Sequence, residues 1–301
     1  MATLRAYAGI ARAPFLFLPV TLVLCGAGAA AYEGTFRWGP TMLALVGLLA
    51  VHAAVNALNE WSDMRTGIDL KTLRTPFSGG SGTLPEGKAP LSHALKLGLG
   101  LAAVGLLIGL WFLYQVGWVF LPFLLVGALL VLGYTDALAR VGLGEMAAGL
   151  GLGTLPVMGT ALVQQGELGP VAVAASVPAF FMTFNLLLLN EFPDEVADRE
   201  GGRRNLVLIL GRKPAAMVYA AAALLVPVWI VGAVGGGILP GLALLAVIPS
   251  LLLVKPLSWA FGDTGAHVPV PALGANVVWN LTTNVVLGLV LFVAAALGFG
   301  S

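Results

Sequence analysis

Charged residues fall in clusters along the chain. Between the clusters, the stretches 13–32, 38–59, 97–135, 146–166, 168–190, 214–254 and 264–301 hold no Asp, Glu, Lys or Arg. A helix needs about 20 predominantly apolar residues to cross a bilayer, so each stretch is long enough to span one. Two of them, 97–135 and 214–254, are about twice that length and carry breakers near the middle: Gly117 and Pro122 in the first, Gly235-Gly236-Gly237 and Pro240 in the second. Each of these reads as a tight helical hairpin. The last stretch opens with His267, Pro269 and Pro271 and is assigned one span. The expected fold is therefore all-α, a polytopic bundle of nine transmembrane helices at 14–32, 41–58, 94–114, 118–135, 144–163, 171–190, 214–233, 238–254 and 277–299. It forms a single transmembrane domain over residues 1–301, with polar loops at 59–93 and 191–213.

Composition agrees with this pattern. Hydrophobic residues make up 59% of the chain and charged residues 10%, against roughly 25% charged in a soluble domain. A net charge of +1 gives no basic excess for a nucleic-acid partner, and one cysteine, Cys25, excludes both a disulfide framework and a cysteine-rich metal site. Basic residues set the expected orientation, because Lys and Arg near span ends stay in the cytoplasm. Arg5 and Arg12 precede span one; Arg65, Lys71, Arg74, Lys88 and Lys96 lie between or near spans two and three; Arg140 lies between four and five. Arg199, Arg203, Arg204, Arg212 and Lys213 lie between six and seven, Lys255 follows span eight, and only Arg37 falls on the opposite side. The expectation is a multi-pass protein of the cell membrane with its N-terminus and polar loops in the cytoplasm and its C-terminus outside. The first span resembles a signal peptide in its basic lead-in and small residues, but its uncharged run exceeds the roughly 7–15 residues of a signal core, so it reads as a span.

The chemistry is concentrated in the two loops. The first reads Asn59-Glu60-Trp61-Ser62-Asp63, then Asp69, Lys71, Arg74 and the run Ser78-Gly79-Gly80-Ser81-Gly82; the second reads Asn190-Glu191-Phe192-Pro193-Asp194, then Asp198, Arg199, Arg203 and Arg204. Asn-Glu-x-x-Asp thus follows a span directly in each half of the chain. Residues four apart share a helix face, so a short extension of spans two and six stacks Asn59 with Asp63, and Asn190 with Asp194 and Asp198, at one mouth of the bundle. Facing carboxylates need a cation between them, and hard oxygen ligands without His or thiolate suit Mg2+, which completes its shell with water and phosphate oxygens. The neighbouring Lys71, Arg74, Arg199 and Arg203 supply phosphate donors. Either loop alone divides evenly between this reading and a solvated surface of paired charges. An amide buried at a span end is costly, and its recurrence in both loops favours a magnesium–diphosphate site.

These motifs resemble the UbiA superfamily of intramembrane prenyltransferases, and the resemblance covers nearly the whole chain. The stretch Gly67-Ile68-Asp69 with the Ser78–Gly82 run, Asn190-Glu191-Phe192-Pro193-Asp194 and Gly202-Arg203-Arg204-Asn205-Leu206 are similar to the branch that prenylates 1,4-dihydroxy-2-naphthoate in menaquinone synthesis. The resemblance implies a nine-helix bundle in which Asn59, Asp63, Asn190, Asp194 and Asp198 hold two magnesium ions on a diphosphate. It puts Asp69 in a variable third place, and a basic residue between helices four and five, here Arg140 near Tyr134, on the diphosphate. Asp63, Asp194 and Asp198 are then the catalytic acids. Glu60 departs from the pattern, standing where Asp is usual.

Polar residues also descend into the spans. His52, Asn56, Asn59 and Asp63 are spaced as one helical stripe, and Asn276, Asn280 and Asn284 form another in span nine. His52, Asn56 and Asn280 are candidates for an acceptor pocket. For span nine, helix-to-helix hydrogen bonding is the favoured reading, and for His52 a structural hydrogen bond stands level with acceptor binding. Gln164 and Gln165 lie at the outer end of span five and are given no chemistry, and the glycines from Gly142 to Gly153 read as close helix packing.

The expected activity is Mg2+-dependent transfer of an isoprenyl group from an allylic prenyl diphosphate, for example geranylgeranyl or longer, to an aromatic acceptor, with membrane lipid as the surroundings. Three alternatives stay open: a UbiA-type terpene cyclase, transfer to a non-aromatic acceptor, and a transporter. Asp63 and Asp69 together weigh against the cyclase. Transporter sites usually interrupt helices near the midplane, whereas these acids sit at one face.

Overall fold

The computed structural model describes residues 3–72 and 74–298. In chain order the helices are α1 (Leu4–Ile10), α2 (Ala13–Tyr32), α3 (Trp38–Thr66), α4 (Ile68–Lys71), α5 (Leu91–Val116), α6 (Trp118–Gly133) and α7 (Gly144–Gln165). They continue with α8 (Pro170–Glu200), α9 (Leu206–Leu210), α10 (Arg212–Gly235), α11 (Gly241–Phe261) and α12 (Val270–Ala296). No strand occurs among the described residues. Eight of these, α2, α3, α5, α7, α8, α10, α11 and α12, are long and apolar enough to cross a membrane. The remaining expected span, 118–135, is the shorter apolar helix α6, which at 1.5 Å per residue reaches about 24 Å.

Both expected hairpins form. Gly117, at φ +87°, makes the turn between α5 and α6, and residues 236–240 join α10 to α11. Two boundaries differ by seven residues from the sequence reading, beyond the expected extensions of α3 and α8. α12 starts at Val270, seven residues before the expected 277, because Pro269 and Pro271 sit at the helix start, where a missing N–H costs nothing. α11 runs on past 254 through Lys255 to Phe261, since a lysine stem can lie along apolar surface with its ammonium reaching water.

The bundle has an inner and an outer set of helices. α2, α8 and α12 contribute much of the core, with Leu22, Cys25, Ala175, Met182, Trp279, Leu287 and Leu291 packed together. α5 and α11 turn most of their apolar length outward, as at Leu107 and Leu251. Close approach depends on small residues. A Cβ on Gly28 of α2 would collide with the Gly288 carbonyl of α12, and one on Gly153 of α7 with the Ala179 carbonyl of α8. Here the packing role expected of the glycines around Gly153 is met.

At the end away from the polar loops, Arg37 is consumed structurally. Its guanidinium donates to the carbonyls of Val163 (2.9 Å) and Gln164 (2.5 Å) at the C-terminus of α7, and its own N–H donates to Gln164 Oε1 (2.8 Å). Gln165 Nε2 donates to Glu33 (3.2 Å). The two glutamines thus hold the 33–37 connection to α7. Inside the bundle, Asn276 donates to the Asn185 carbonyl, Asn284 donates to Asn280 Oδ1, and Asn280 Nδ2 lies 3.4 Å from Thr183 Oγ1. Thr183 in turn donates to the Leu152 carbonyl (2.7 Å) at a kink in α7, where Leu152 leaves helical geometry at φ −120°, ψ 32°.

Candidate active site

α3 and α8 both continue as helix beyond their apolar stretches, and this places the acids. α3 stops only at Gly67, whose φ of +80° provides a left-handed cap. α8 carries Pro193 within it and reaches Glu200. Asn59 and Asp63 therefore share one face of α3, and Asn190, Asp194 and Asp198 one face of α8. All five line the same cavity, together with Asp69 of α4.

The columns are joined by Arg203, presented by the turn Gly201–Gly202 after α8, where Gly202 takes φ +77°. One Nη of Arg203 donates to Asp63 Oδ1 (2.5 Å), Asp63 Oδ2 (2.7 Å) and Asn59 Oδ1 (2.9 Å); the other lies 3.6 Å from Asp198 Oδ1. Asn59 Nδ2 donates to Asp63 Oδ2 (2.8 Å), and Thr135 donates to Asn59 Oδ1 (3.3 Å). Asn205 Nδ2 donates to Asp198 Oδ2 (2.9 Å), while its own Oδ1 caps α9 at Leu208 N–H. Burial works against the Arg203 charge, but Asp63 and then Asp198 outweigh it and raise its pKa above the usual arginine value.

Three acid oxygens are left without a hydrogen-bond partner, Asp69 Oδ2, Asp194 Oδ1 and Glu191 Oε2, and Asp198 Oδ1 has only the Arg203 Nη at 3.6 Å. Burial, reinforced by Glu60 and Asp63 nearby, pushes the Asp69 carboxyl up to about 7. Unpartnered buried carboxylate oxygens of this kind are the donor set of a hard cation. Among the described residues no three His, Cys, Asp or Glu side chains converge tightly enough to hold an ion by themselves. Magnesium typically takes one or two carboxylates and fills its shell with water and substrate phosphate.

The Gly-rich run forms a roof over this mouth, with Phe77, Ser78, Gly79 and Gly80 lining the cavity. It is tied to both motifs. Asn190 Nδ2 donates to the Phe77 carbonyl (3.0 Å), and Ser81 donates through its N–H to Glu60 Oε1 (2.7 Å) and through its hydroxyl to Glu60 Oε2 (2.8 Å). Glu60 is fully buried and also accepts from Arg12 Nε (2.9 Å). Its extra methylene thus carries the carboxylate to the roof and to the α1–α2 junction, where Arg12 sits at φ +50°.

The diphosphate-binding residues selected from the sequence separate into two groups. Arg203 and Tyr134 line the cavity. Lys71, Arg74, Arg140 and Arg199 lie outside its lining, ion-paired to Glu200, Glu86, Asp136 and Glu195 respectively. From the mouth the cavity, about 650 Å³, descends between α3, α5, α6, α7 and α8 past Val51, Leu106, Phe112 and Phe123. His52, Asn56 and Asn280 are on its wall. His52 Nδ1 has no partner, and Asn56 donates to the Ala11 carbonyl (3.0 Å). Sequence reasoning passed over Arg12, Glu60, Thr135, Glu191 and Asn205 as site residues. For Glu60, Glu191 and Asn205 the available signal was their adjacency to the motif positions.

The arrangement is an acid-lined, arginine-bridged mouth on an apolar tube. Comparison with known proteins agrees. The family model described as UbiA prenyltransferase family matches residues 18–265. The chain is 26% identical over 193 residues to 1,4-dihydroxy-2-naphthoate octaprenyltransferase of Bacillus subtilis (strain 168), covering 63% of this chain and 61% of that relative. It therefore spans about three-fifths of that relative's length. It is 29% identical over 224 residues to the protein of the same name from Mycobacterium tuberculosis, covering 73% and 74% of the two chains. To digeranylgeranylglyceryl phosphate synthase of Ignicoccus hospitalis it is 26% identical over 213 residues, covering 69% and 65%. Among solved structures, a UbiA homolog from Archaeoglobus fulgidus bound to DMAPP and Mg2+ shares the fold, with a TM-score of 0.64 at 12% identity over 95% of this chain and 99% of that one. The motifs, the helical bundle and the match over most of its length place the chain in the UbiA prenyltransferase family.

Proposed function

We propose that this protein transfers an isoprenyl group from an allylic prenyl diphosphate to an aromatic acceptor, 1,4-dihydroxy-2-naphthoate, in menaquinone synthesis, with Mg2+ as its cofactor. The observation that carries the reading is the junction of two environments, unpartnered carboxylate oxygens at the mouth and an apolar cavity directly beneath. Asp63, Asp194 and Asp198, with Asn59, Asn190 and Asp69 beside them, are the residues that would hold the metal. When bound, magnesium supplies positive charge that stabilises the departing diphosphate.

The chain's own groups do the rest. Arg203 presents a fork of N–H donors suited to phosphate oxygens, and Tyr134 adds a hydroxyl. Lys71, Arg74, Arg140 and Arg199 stand outside the cavity in ion pairs with acids, so contact with the diphosphate falls to Arg203 and Tyr134. The isoprenoid tail lies along the apolar wall, where each buried methylene contributes about 0.8 kcal/mol. The C–O bond to the diphosphate breaks with its electron pair leaving on oxygen, and the dry cavity keeps water from the allylic cation. The electron-rich ring, placed near His52, Asn56 and Asn280, attacks that carbon and then loses a proton or, from its carboxylated position, carbon dioxide.

In the membrane, α6 counts as the ninth crossing despite its length, with the bilayer thinning or the helix ends adjusting to meet it. Its support is the tight Gly117 turn that folds it back on α5. Fourteen of the fifteen Lys and Arg residues then lie toward the site end and Arg37 alone at the other, which supports a cytoplasmic site and N-terminus.

The Ignicoccus relative supports a second reading, an isoprenyl glycerol phosphate acceptor. The test is mass analysis of lipid extracts after incubating the purified protein with Mg2+, geranylgeranyl diphosphate and either acceptor. A prenylated naphthol, dependent on Mg2+ and the naphthoate, is expected. An ether lipid would favour the second reading, a cyclised hydrocarbon formed without acceptor would favour a cyclase, and no product with either acceptor would count against transfer.

A further inference from the structure

Arg203 occupies the oxygens that a metal would need. Its guanidinium is on both carboxylate oxygens of Asp63 and on Asn59 Oδ1, and its second Nη faces Asp198 Oδ1. The side chain is largely buried and spans the two motif columns. We propose that Arg203 is the site's resident counter-cation, which excludes free magnesium and yields the carboxylates only when a diphosphate arrives to take the guanidinium. The inference rests on the metal–diphosphate reading above and adds an order of loading to it.

The physical argument is one of charge balance. A divalent ion and a guanidinium cannot share Asp63 at contact distance without strong repulsion in a buried site. An arginine leaving Asp63 with no new partner would forfeit charge-assisted hydrogen bonds, so a metal ion alone meets a competitor already in place. Diphosphate oxygens accept the same planar fork that the carboxylate does, so a diphosphate offers Arg203 an equivalent partner and frees Asp63 and Asp198 together. The exchange asks only for a turn of the Arg203 side chain, since its backbone N–H is held by the Asp198 carbonyl (2.9 Å). Metal and diphosphate are thereby coupled, and the coupling is reciprocal: each must tighten the other by the same factor.

The test uses the full chain in detergent with Mn2+ as a spectroscopic stand-in for magnesium and inorganic pyrophosphate as the anion. Metal affinity is read by electron paramagnetic resonance, without turnover. Wild type is expected to bind Mn2+ weakly alone and at least tenfold more tightly with pyrophosphate. Arg203→Met is expected to bind Mn2+ alone at least tenfold more tightly than wild type and to gain less from pyrophosphate than wild type does, keeping only the share that comes from direct metal–phosphate contact. Arg203→Lys, which keeps the charge but loses the fork, should fall between them and serves if the methionine variant does not fold. Equal or weaker Mn2+ binding by the variants than by wild type, without pyrophosphate, would overturn the counter-cation role while leaving prenyl transfer intact. Absence of Mn2+ binding by every protein, even with pyrophosphate, would overturn both.

Discussion

Glu60→Gln replaces a fully buried carboxylate by an isosteric amide and removes the charge from the anchor shared by Arg12 and the roof. Glu60 accepts three hydrogen bonds, from Arg12 Nε (2.9 Å), Ser81 N–H (2.7 Å) and Ser81 Oγ–H (2.8 Å). The amide oxygen at the Oε1 position can still accept from the Ser81 N–H and Arg12 Nε, and the NH2 at the Oε2 position can donate to the Ser81 hydroxyl, so the main loss is the charge facing Arg12. Breaking a buried ion pair from one side costs about 3–5 kcal/mol. The Arg12 side chain is 22% exposed, so water relieves part of the loss and about 3 kcal/mol is expected. At roughly 2–4 °C per kcal/mol, the thermal midpoint in detergent, followed by tryptophan fluorescence, should fall by about 6–12 °C. Arg12→Met should cost a similar amount, and the double variant should lose at least about 1 kcal/mol less than the sum, because the partners act as a unit. Glu60→Asp, shorter by one methylene, should lie between wild type and Glu60→Gln. A Glu60→Gln midpoint within about 2 °C of wild type, or fully additive losses in the double variant, would refute the reasoning.

Asp194→Asn should reduce Mg2+-dependent turnover by about 100-fold or more while leaving the thermal midpoint close to wild type, because Asp194 Oδ1 has no partner to lose; near-normal turnover would count against a metal role. Asn280→Ala removes one of the two acceptors of Asn284 Nδ2, leaving the residue-280 carbonyl, and also removes the contact with Thr183, so it should cost about 1 kcal/mol of stability with turnover little changed; a selective rise in acceptor KM would instead put Asn280 in the acceptor pocket. Asp69, with its pKa raised to about 7, must give up its proton to take a cation, so protons compete with Mg2+ below that pH. Apparent Mg2+ affinity should drop by about tenfold from pH 8 to pH 6, and Asp69→Asn should flatten the profile; an equally steep profile in the variant would place the titrating group elsewhere.

The two acid columns were legible because four-residue spacing on a helix needs no tertiary information, and α3 and α8 do continue far enough to use it. The apolar stretches likewise marked every long helix. Other features depend on which way a side chain turns. Spacing alone gave Arg203 the same standing as Arg199, yet the Gly201–Gly202 turn swings Arg203 onto Asp63, while Arg199 stays on the α8 surface beside Glu195. Glu60 looked like an altered motif letter, and only the fold brings Ser81 and Arg12 to it. The early start of α12 was hidden because a proline reads as a breaker in sequence and as a starter at a helix N-terminus. Arg37, which broke the orientation pattern, is explained by the α7 carbonyls it caps. The kink of α7 lies in Leu-Gly-Leu-Gly-Thr, which carries no periodic signal to announce it.

The most direct measurement is a structure of the protein with Mg2+ and a non-hydrolysable thio analogue of geranylgeranyl diphosphate. The expected density puts magnesium on Asp63, Asp194 and Asp198, the diphosphate beneath the Ser78–Gly80 roof with Arg203 turned onto it, and the isoprenoid chain along Val51 and Leu106. A diphosphate bound away from these carboxylates, or a chain lying outside the cavity, would contradict prenyl transfer at this site.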